Sequence, residues 1–515
     1  MASPPFDDIA SADAVLQSSD GVAFYVSRAA LIAASPFFRD LFSLEQPSVE
    51  ISKTTQPCTI PLVEDSRSIE PILRLIYDFN ESGEKDLDTV GRVLEVARKY
   101  QMRRAEEAAQ TWIWSHVYSS PLQTYAFACR FGIEEIASAA AEVSRDRYSR
   151  KFPRPDSAFA ASVEGANYDS EMDDISSGQY FRLLQAVRAP MNTVDTRPFS
   201  FCQPRFSSSY RNAQKRVEQP EREVPHDVVP EVQDYPADLA LKSTDEYEFR
   251  VHRLVIGLAG GHRLVDEAVE TAANGLPMAR VGAIGWVLAK VVQLCYPCGA
   301  PGVFQDFFAA REILRVATRY GMSPLITLAQ AELTQLLPTA PLRVYFICAE
   351  HGWLALAEQA ARVLATQHLE DVYVPEMEDV SARAYHRLLR YHHECRTAIH
   401  RVASRHSDYV QGWKAVSRRT QTNLAALSVP LPIVEMWTQK MLAAQEYPQG
   451  DGRGAGFRGG RGLGRRRMRA GSAPLMMGPD LQTDFVDAGY AMDMEIKEEL
   501  LKVRDSDCKL YFDCD

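Results

Sequence analysis

Apolar and polar residues alternate first near the N-terminal end. Asp13 to Ser18 and Val22 to Val26 each read as a short strand, and Ser19-Asp20-Gly21 between them is a tight turn of the hairpin kind. In the second run Phe24 and Val26 fall on one face and Ala23 and Tyr25 on the other, the two-residue period of a half-buried strand. A short helix follows, and Ser35-Pro36 then starts a new one: Ser accepts from the free amides of a helix start, and Pro lacks the N–H that would have no partner there. This helix places Phe37, Phe38, Leu41 and Phe42 at i, i+1, i+4 and i+5, more apolar surface than so short an element hides by itself.

Cys58 to Val63 reads as a third strand. Ser66 or Ser68 is then placed to cap a helix whose Ile69, Ile72, Leu73 and Ile76 share a face. After a polar loop at Asn80 to Lys85, Val90, Val93, Leu94 and Ala97 line the face of a helix ending near Tyr100. Helices are expected from Arg104 to about Val117, from Leu122 to about Arg130 with a stop at Phe131-Gly132, and from Ile133 toward Ser144. Hairpin, helices, one strand, then helices only is the order of a small mixed sheet enclosed by helices, an α+β arrangement.

Asp13-Ala-Val-Leu, the Asp-Gly hairpin, Phe24-x-Val-x-Arg28, Leu31 and Ala34 to Ser43, followed by Leu94 to Tyr100 and Pro121 to Gly132, resemble a BTB/POZ domain of the kind abundant in fungal proteins. The resemblance covers residues 6–144 and implies a domain that pairs with itself or with protein partners. Phe37, Phe38, Leu41 and Phe42, with Leu44 and Glu45, are the residues it offers for such contact. At Ser27 the family usually has His. Cullin-ligase adaptors of the family carry an apolar-x-Glu motif after the aromatic helix. Here Glu45 directly follows Leu44 and Pro47 shortens the helix, so adaptor and non-adaptor readings both stand. Transcription-factor members exchange a segment ahead of the first strand, and only Met1 to Ala12 precede Asp13 here, which argues against that exchange.

The chain then repeats itself. Asp238 to Arg253 follows Asp13 to Arg28 at a constant offset, pairing Phe24 with Phe249, Val26 with Val251 and Arg28 with Arg253, and His252 stands where the first copy has Ser27. Ile313 to Met322 matches Val93 to Met102, Pro341 to Gly352 matches Pro121 to Gly132, and Asp379 to Leu389 matches Asp174 to Leu184. Opposite the aromatic helix the second copy has Gly260-Gly261-His262-Arg263-Leu264-Val265-Asp266-Glu267, and two glycines weaken a helix start by roughly 1 kcal/mol each relative to Ala. The expected organisation is a BTB/POZ domain at 6–144 with a helical extension at 145–189, a flexible linker at 190–236, a diverged BTB-like domain at 237–370, a second helical extension at 371–447 and a disordered tail at 448–515. A helix is expected to continue from Tyr391 through Trp413, with a last short one at Val434 to Ala444.

Composition adjusts this picture at a few points. A chain of 515 residues exceeds one ordinary core, and its net charge of −11 disfavours a nucleic-acid-binding body while permitting a local basic segment. Nine cysteines without regular spacing read as reduced thiols, and neither a signal peptide nor a membrane span is evident, so nucleus or cytoplasm is expected. That local basic segment exists: Arg453, Arg458 and Arg461 between glycines resemble RNA-contacting Gly/Arg tracts, and Arg465, Arg466 and Arg467 equally suit nuclear import. Cys295-Tyr-Pro-Cys298 lies at a helix end and lacks the further ligands zinc needs. His386, His392, His393, Cys395 and His400 share one helix without the i, i+4 pairs of helical metal sites, and read as a packing or solvated face. Phosphate-loop, nucleophile-elbow and HExxH motifs are lacking, and Gly257 to Gly261 has no lysine. The sequence therefore points to a non-enzymatic scaffold without cofactor or metal, whose partners are proteins. Intramolecular pairing of the two copies, cullin adaptor work and RNA association are the alternatives.

Overall fold

The computed structural model describes residues 2, 4–8, 12–44, 57–77, 85–151, 168–188, 200–203, 224, 236–272, 275–296, 304, 306–365, 367, 369, 372–405, 494–496, 498–500 and 502. They fall into two compact units, Met1–Glu223 with Tyr373–His386, and Val224–Val372 with Arg387–Asp515.

The first unit begins with the hairpin β1 (Ala14–Gln17) and β2 (Ala23–Val26), which pair antiparallel with Ala14 opposite Val26 and Leu16 opposite Phe24. Ser18 and Asp20 shape the turn: the Ser18 hydroxyl accepts from the Val22 amide at 2.9 Å and donates to the Asp20 carboxylate at 2.5 Å. Gly21 takes φ 80°, the left-handed conformation that such turns need. After α1 (Arg28–Ala34) and α2 (Pro36–Ser43), strand β3 (Cys58–Pro61) joins β1 in parallel and completes the order β2-β1-β3. The cap of α3 (Ser66–Ile76) differs from expectation. The Asp65 carboxylate accepts from the Ser68 amide at 2.9 Å, whereas the hydroxyls of Ser66 and Ser68 are turned to Asp20 and Asp65. A carboxylate is the stronger acceptor at a helix start, and Ser66, which donates to Asp20 through both amide and hydroxyl, ties the turn to α3.

Four further helices follow: α4 (Leu87–Lys99), capped by Asp86; α5 (Arg103–His116); α6 (Pro121–Phe131), stopped by Gly132 at φ 69°; and α7 (Glu134–Lys151). Ser144 therefore lies inside α7, and the expected domain edge does not coincide with a helix end. Leu16, Phe24, Val26, Leu31, Phe38, Ile69, Leu73 and Ala97 form one apolar core between sheet and helices.

Ser200–Gln203 lies within the stretch expected to be a flexible linker, yet it is anchored. Phe201 is buried against Tyr125, and the Glu134 carboxylate accepts from the Phe201 and Cys202 amides and the Ser200 hydroxyl. The Phe201 and Cys202 carbonyls accept in addition from Arg182 and Gln179, both at 3.1 Å, so the segment is held from both sides of its backbone. Beside them, α8 (Ser177–Arg188) meets the segment 373–386. Ser176 and Ser381 form an antiparallel bridge, the Ser177 amide donates to the Val380 carbonyl at 2.7 Å and the Ala382 amide to the Ile175 carbonyl at 2.8 Å. Arg182, fully buried, forks onto Glu378, which also accepts from Tyr373 and Ser176.

The second unit opens with β4 (Leu239–Lys242) and β5 (Glu248–Val251), antiparallel with Leu239 opposite Val251, and β7 (Pro277–Arg280) lies parallel to β4. A fourth strand, β6 (Glu270–Thr271), pairs with β7; two exposed residues leave no periodicity by which to foresee it. Between the strands stand α9 (Arg253–Leu258) and α10 (His262–Asp266), the latter only five residues long. Gly260 has a reason beyond a weakened helix start: at φ 88° it presses on the backbone at 321–323, where a Cβ would come within 3.0 Å of the Gly321 carbonyl. Helices α11 (Gly285–Cys295), α12 (Phe307–Tyr320), α13 (Ser323–Leu336), α14 (Pro341–Glu350) and α15 (Leu354–Leu364) follow. The helix α16 (Ala382–Arg405) carries the chain from the first unit into the second and is the last long one described. The expectations for Trp413 and for Val434 to Ala444 lie outside the described residues.

Within the stretch expected to be disordered, a few residues are described. Residues 494–496 and 498–500 are helical, and Ile496 is buried. Among the described residues no helix is long and apolar enough to cross a membrane.

Candidate protein-interaction surface

Helix α2 is positioned from below. The Ser35 hydroxyl accepts from the Phe38 amide at 3.2 Å and donates to the Tyr100 carbonyl at 2.5 Å, so the start of α2 is bolted to the end of α4. Tyr100 then sorts the aromatics. Phe38 stacks on its ring at 5.4 Å and is buried, while Phe37 meets the same ring edge-on at 5.2 Å and stays 37% exposed. Leu41 and Phe42 are half-buried against the core, and the Arg28 guanidinium lies 4.6 Å from the Phe42 ring centre, covering part of its face. Leu44, just past the helix, is 68% exposed. The candidate residues thus divide into one core residue, two at the boundary and two facing outward. Glu45 lies outside the described residues, as do Arg453, Arg458, Arg461, Arg465, Arg466 and Arg467.

Tyr100 is held in turn by Glu64, whose carboxylate accepts from the phenol at 2.6 Å and pairs with Lys99. Burial pushes the phenol upward and the Glu64 charge adds to it. For Glu64 itself burial acts upward as well, but Lys99 and Tyr100 outweigh it and the carboxyl titrates below its ordinary value.

Beside α2 a groove of about 450 Å³ opens between α1, α3 and α5, floored by Ala30, Ala33, Ala34, Ala105 and Ala108 and walled by Leu75 and Trp112. Leu75 and Trp112 also border a second hollow of about 440 Å³, where Arg74 pairs with Glu70 and Arg92 with Asp88. Small residues at helical spacing read as tight packing, so the sequence carries no signal of this groove.

Elsewhere, candidate chemistry dissolves into packing. Cys295 ends α11, where burial pushes its thiol up to about 12, and Cys298 lies outside the described residues. His386 stacks on Tyr168 at 4.0 Å, and His392 sits 2.8 Å from the Gln367 carbonyl. Among the described residues no group of three or more His, Cys, Asp or Glu could hold a metal.

The first unit thus holds a three-stranded sheet built from one hairpin and one parallel strand, enclosed by helices, with Phe37 and Leu44 turned outward. Comparison with protein families names it: residues 5–114 match the BTB/POZ domain. The chain therefore contains a BTB/POZ domain, a protein-interaction module, within its first unit. Comparison with curated proteins gives no match.

Proposed function

We propose that the chain is a non-enzymatic scaffold that recruits a protein partner, or a second copy of itself, through the α1–α2 face of its BTB/POZ domain. The observation that carries this reading is the outward aromatic and apolar pair Phe37 and Leu44 beside the alanine-floored groove. Exposed aromatics next to small residues supply contact area at little entropic cost.

The second domain, residues 237–370, is read as a diverged BTB-like copy. Its support is the shared order of β5-β4-β7 and β2-β1-β3, together with matching side-chain bonds. Asp13 and Asp238 accept from the Arg28 and Arg253 amides, the Tyr77 and Tyr296 hydroxyls accept from the Ser27 and His252 amides, and Asp20 and Asp245 accept from Ser66 and Gly285. Its outward residues differ. Leu254 and Leu258, one turn apart on α9, are 73% and 75% exposed where the first copy has Ala29 and Ala33, so the copies are read as having different partners. Pairing of the two copies within one chain is supported by the exchange around Ser176 and Ser381, in which sequence-equivalent residues donate to each other's neighbours.

Capture of partners on full-length chain and on a Phe37→Glu, Leu44→Glu variant tests the proposal. The variant loses a defined partner or self-association while remaining folded, and unchanged capture contradicts the reading. A cullin among the lost partners would select the adaptor role. RNA retained by both chains and lost on deleting residues 450–471 would select the Gly/Arg tract.

A further inference from the structure

The last turns of α16 carry a surface that none of the above uses. Arg401 and Arg405 stand one helical turn apart with their side chains about half exposed, and Val402 between them is fully buried, as Ala398 and Ile399 nearly are. Facing them, Glu495 and Glu499 are likewise one turn apart, and Ile496 between them is 1% exposed. Glu499 pairs with Arg401 at 3.4 Å, and Glu495 pairs with Arg405. The lower-numbered arginine takes the higher-numbered glutamate, so the two helical segments run antiparallel with an apolar seam flanked by charge.

We propose that the end of α16 is a docking face for an acid-flanked amphipathic helix, and that the chain's own residues 494–502 are the ligand that fills it in cis. A segment this short is not a stable helix in water, so its folding depends on the surface it meets. Two partly exposed ion pairs contribute little each, but tethering raises the local concentration to the order of mM, which compensates for a weak site. The recognition chemistry is two carboxylates four residues apart bracketing one aliphatic residue, met by two guanidiniums at the same spacing. A partner helix of that pattern would have to displace the tail.

Amide exchange on the full-length chain tests this. Arg401→Glu with Arg405→Glu should speed exchange at 494–502 by at least about fivefold, since both ion pairs turn repulsive. Glu495→Arg with Glu499→Arg should do the same, and combining all four changes should restore protection. Exchange in α12 should stay unchanged throughout. Should charge reversal loosen α12 as well, the milder Arg401→Gln with Arg405→Gln decides the question by the same readout. Tenfold dilution leaves protection intact if the contact is in cis. Protection that is indifferent to either pair, unrestored by the fourfold change, or lost on dilution overturns the proposal.

Discussion

Arg182 and Glu378 form an ion pair whose arginine is fully buried in the first unit. A fully buried guanidinium is tolerable only while its charge is met, and removing one partner of such a pair costs about 3–5 kcal/mol. Burial alone would lower the Arg182 pKa, yet Glu378 more than reverses this, and the group titrates above its ordinary value. Arg182→Met should therefore destabilise the first unit by about that amount, and Arg182→Met with Glu378→Leu by less, as read from denaturant unfolding followed through exchange in α8. Gly178→Ala strikes the same place from the side of volume: a Cβ there would sit 2.0 Å from the Glu378 carboxylate, and a loss of about 3 kcal/mol is expected. At the hairpin, the Ser18 and Ser66 hydroxyls hold the Asp20 carboxyl down at about 2. A carboxyl lowered on folding contributes stability above its unfolded pKa and loses it as pH falls through the folded one. The Asp20→Asn variant should accordingly show less acid sensitivity than the parent between about pH 4 and about pH 2, measured by fluorescence-detected unfolding.

At the scale of elements, α2 shows what periodicity reveals and what it conceals. Phe37, Phe38, Leu41 and Phe42 mark an apolar face from their spacing alone, but which ring turns inward depends on Tyr100, more than fifty residues along the chain. Phe38→Ala should cost about 3–5 kcal/mol of first-unit stability and Phe37→Ala within about 1 kcal/mol, a contrast that chemical denaturation resolves. The hairpin, the Ser-Pro helix start and the Gly132 stop were legible because each is a local rule. The groove was not, since it is a space left between α1, α3 and α5. Nor were the pairings of Glu495 and Glu499, whose arginine partners lie far away on α16. Phe201 teaches the same lesson in a stretch whose composition suggests only a linker.

At the scale of the whole molecule, one matched domain accounts for residues 5–114, and the greater part of the described structure lies beyond it. The internal repetition in the sequence extends the reading, because equivalent aspartates, tyrosines and strand registers recur in the second unit. The outward residues differ between the units, Phe37 and Leu44 in the first and Leu254 and Leu258 in the second, and the proposed scaffold would meet different partners through them. If the two copies pair within one chain, light scattering on the full-length protein should report a species whose mass does not depend on the first domain's α2. A stable dimer abolished by Phe37→Glu would instead place self-association on that face.

If Phe37 and Leu44 mark a partner-facing surface, as proposed, quantitative affinity capture from cells with full-length chain as bait will register it. The Phe37→Glu, Leu44→Glu variant should lose a discrete set of partners that a Trp114→Ala control, altered at another exposed aromatic, retains. Identical partner sets for all three chains would contradict the account.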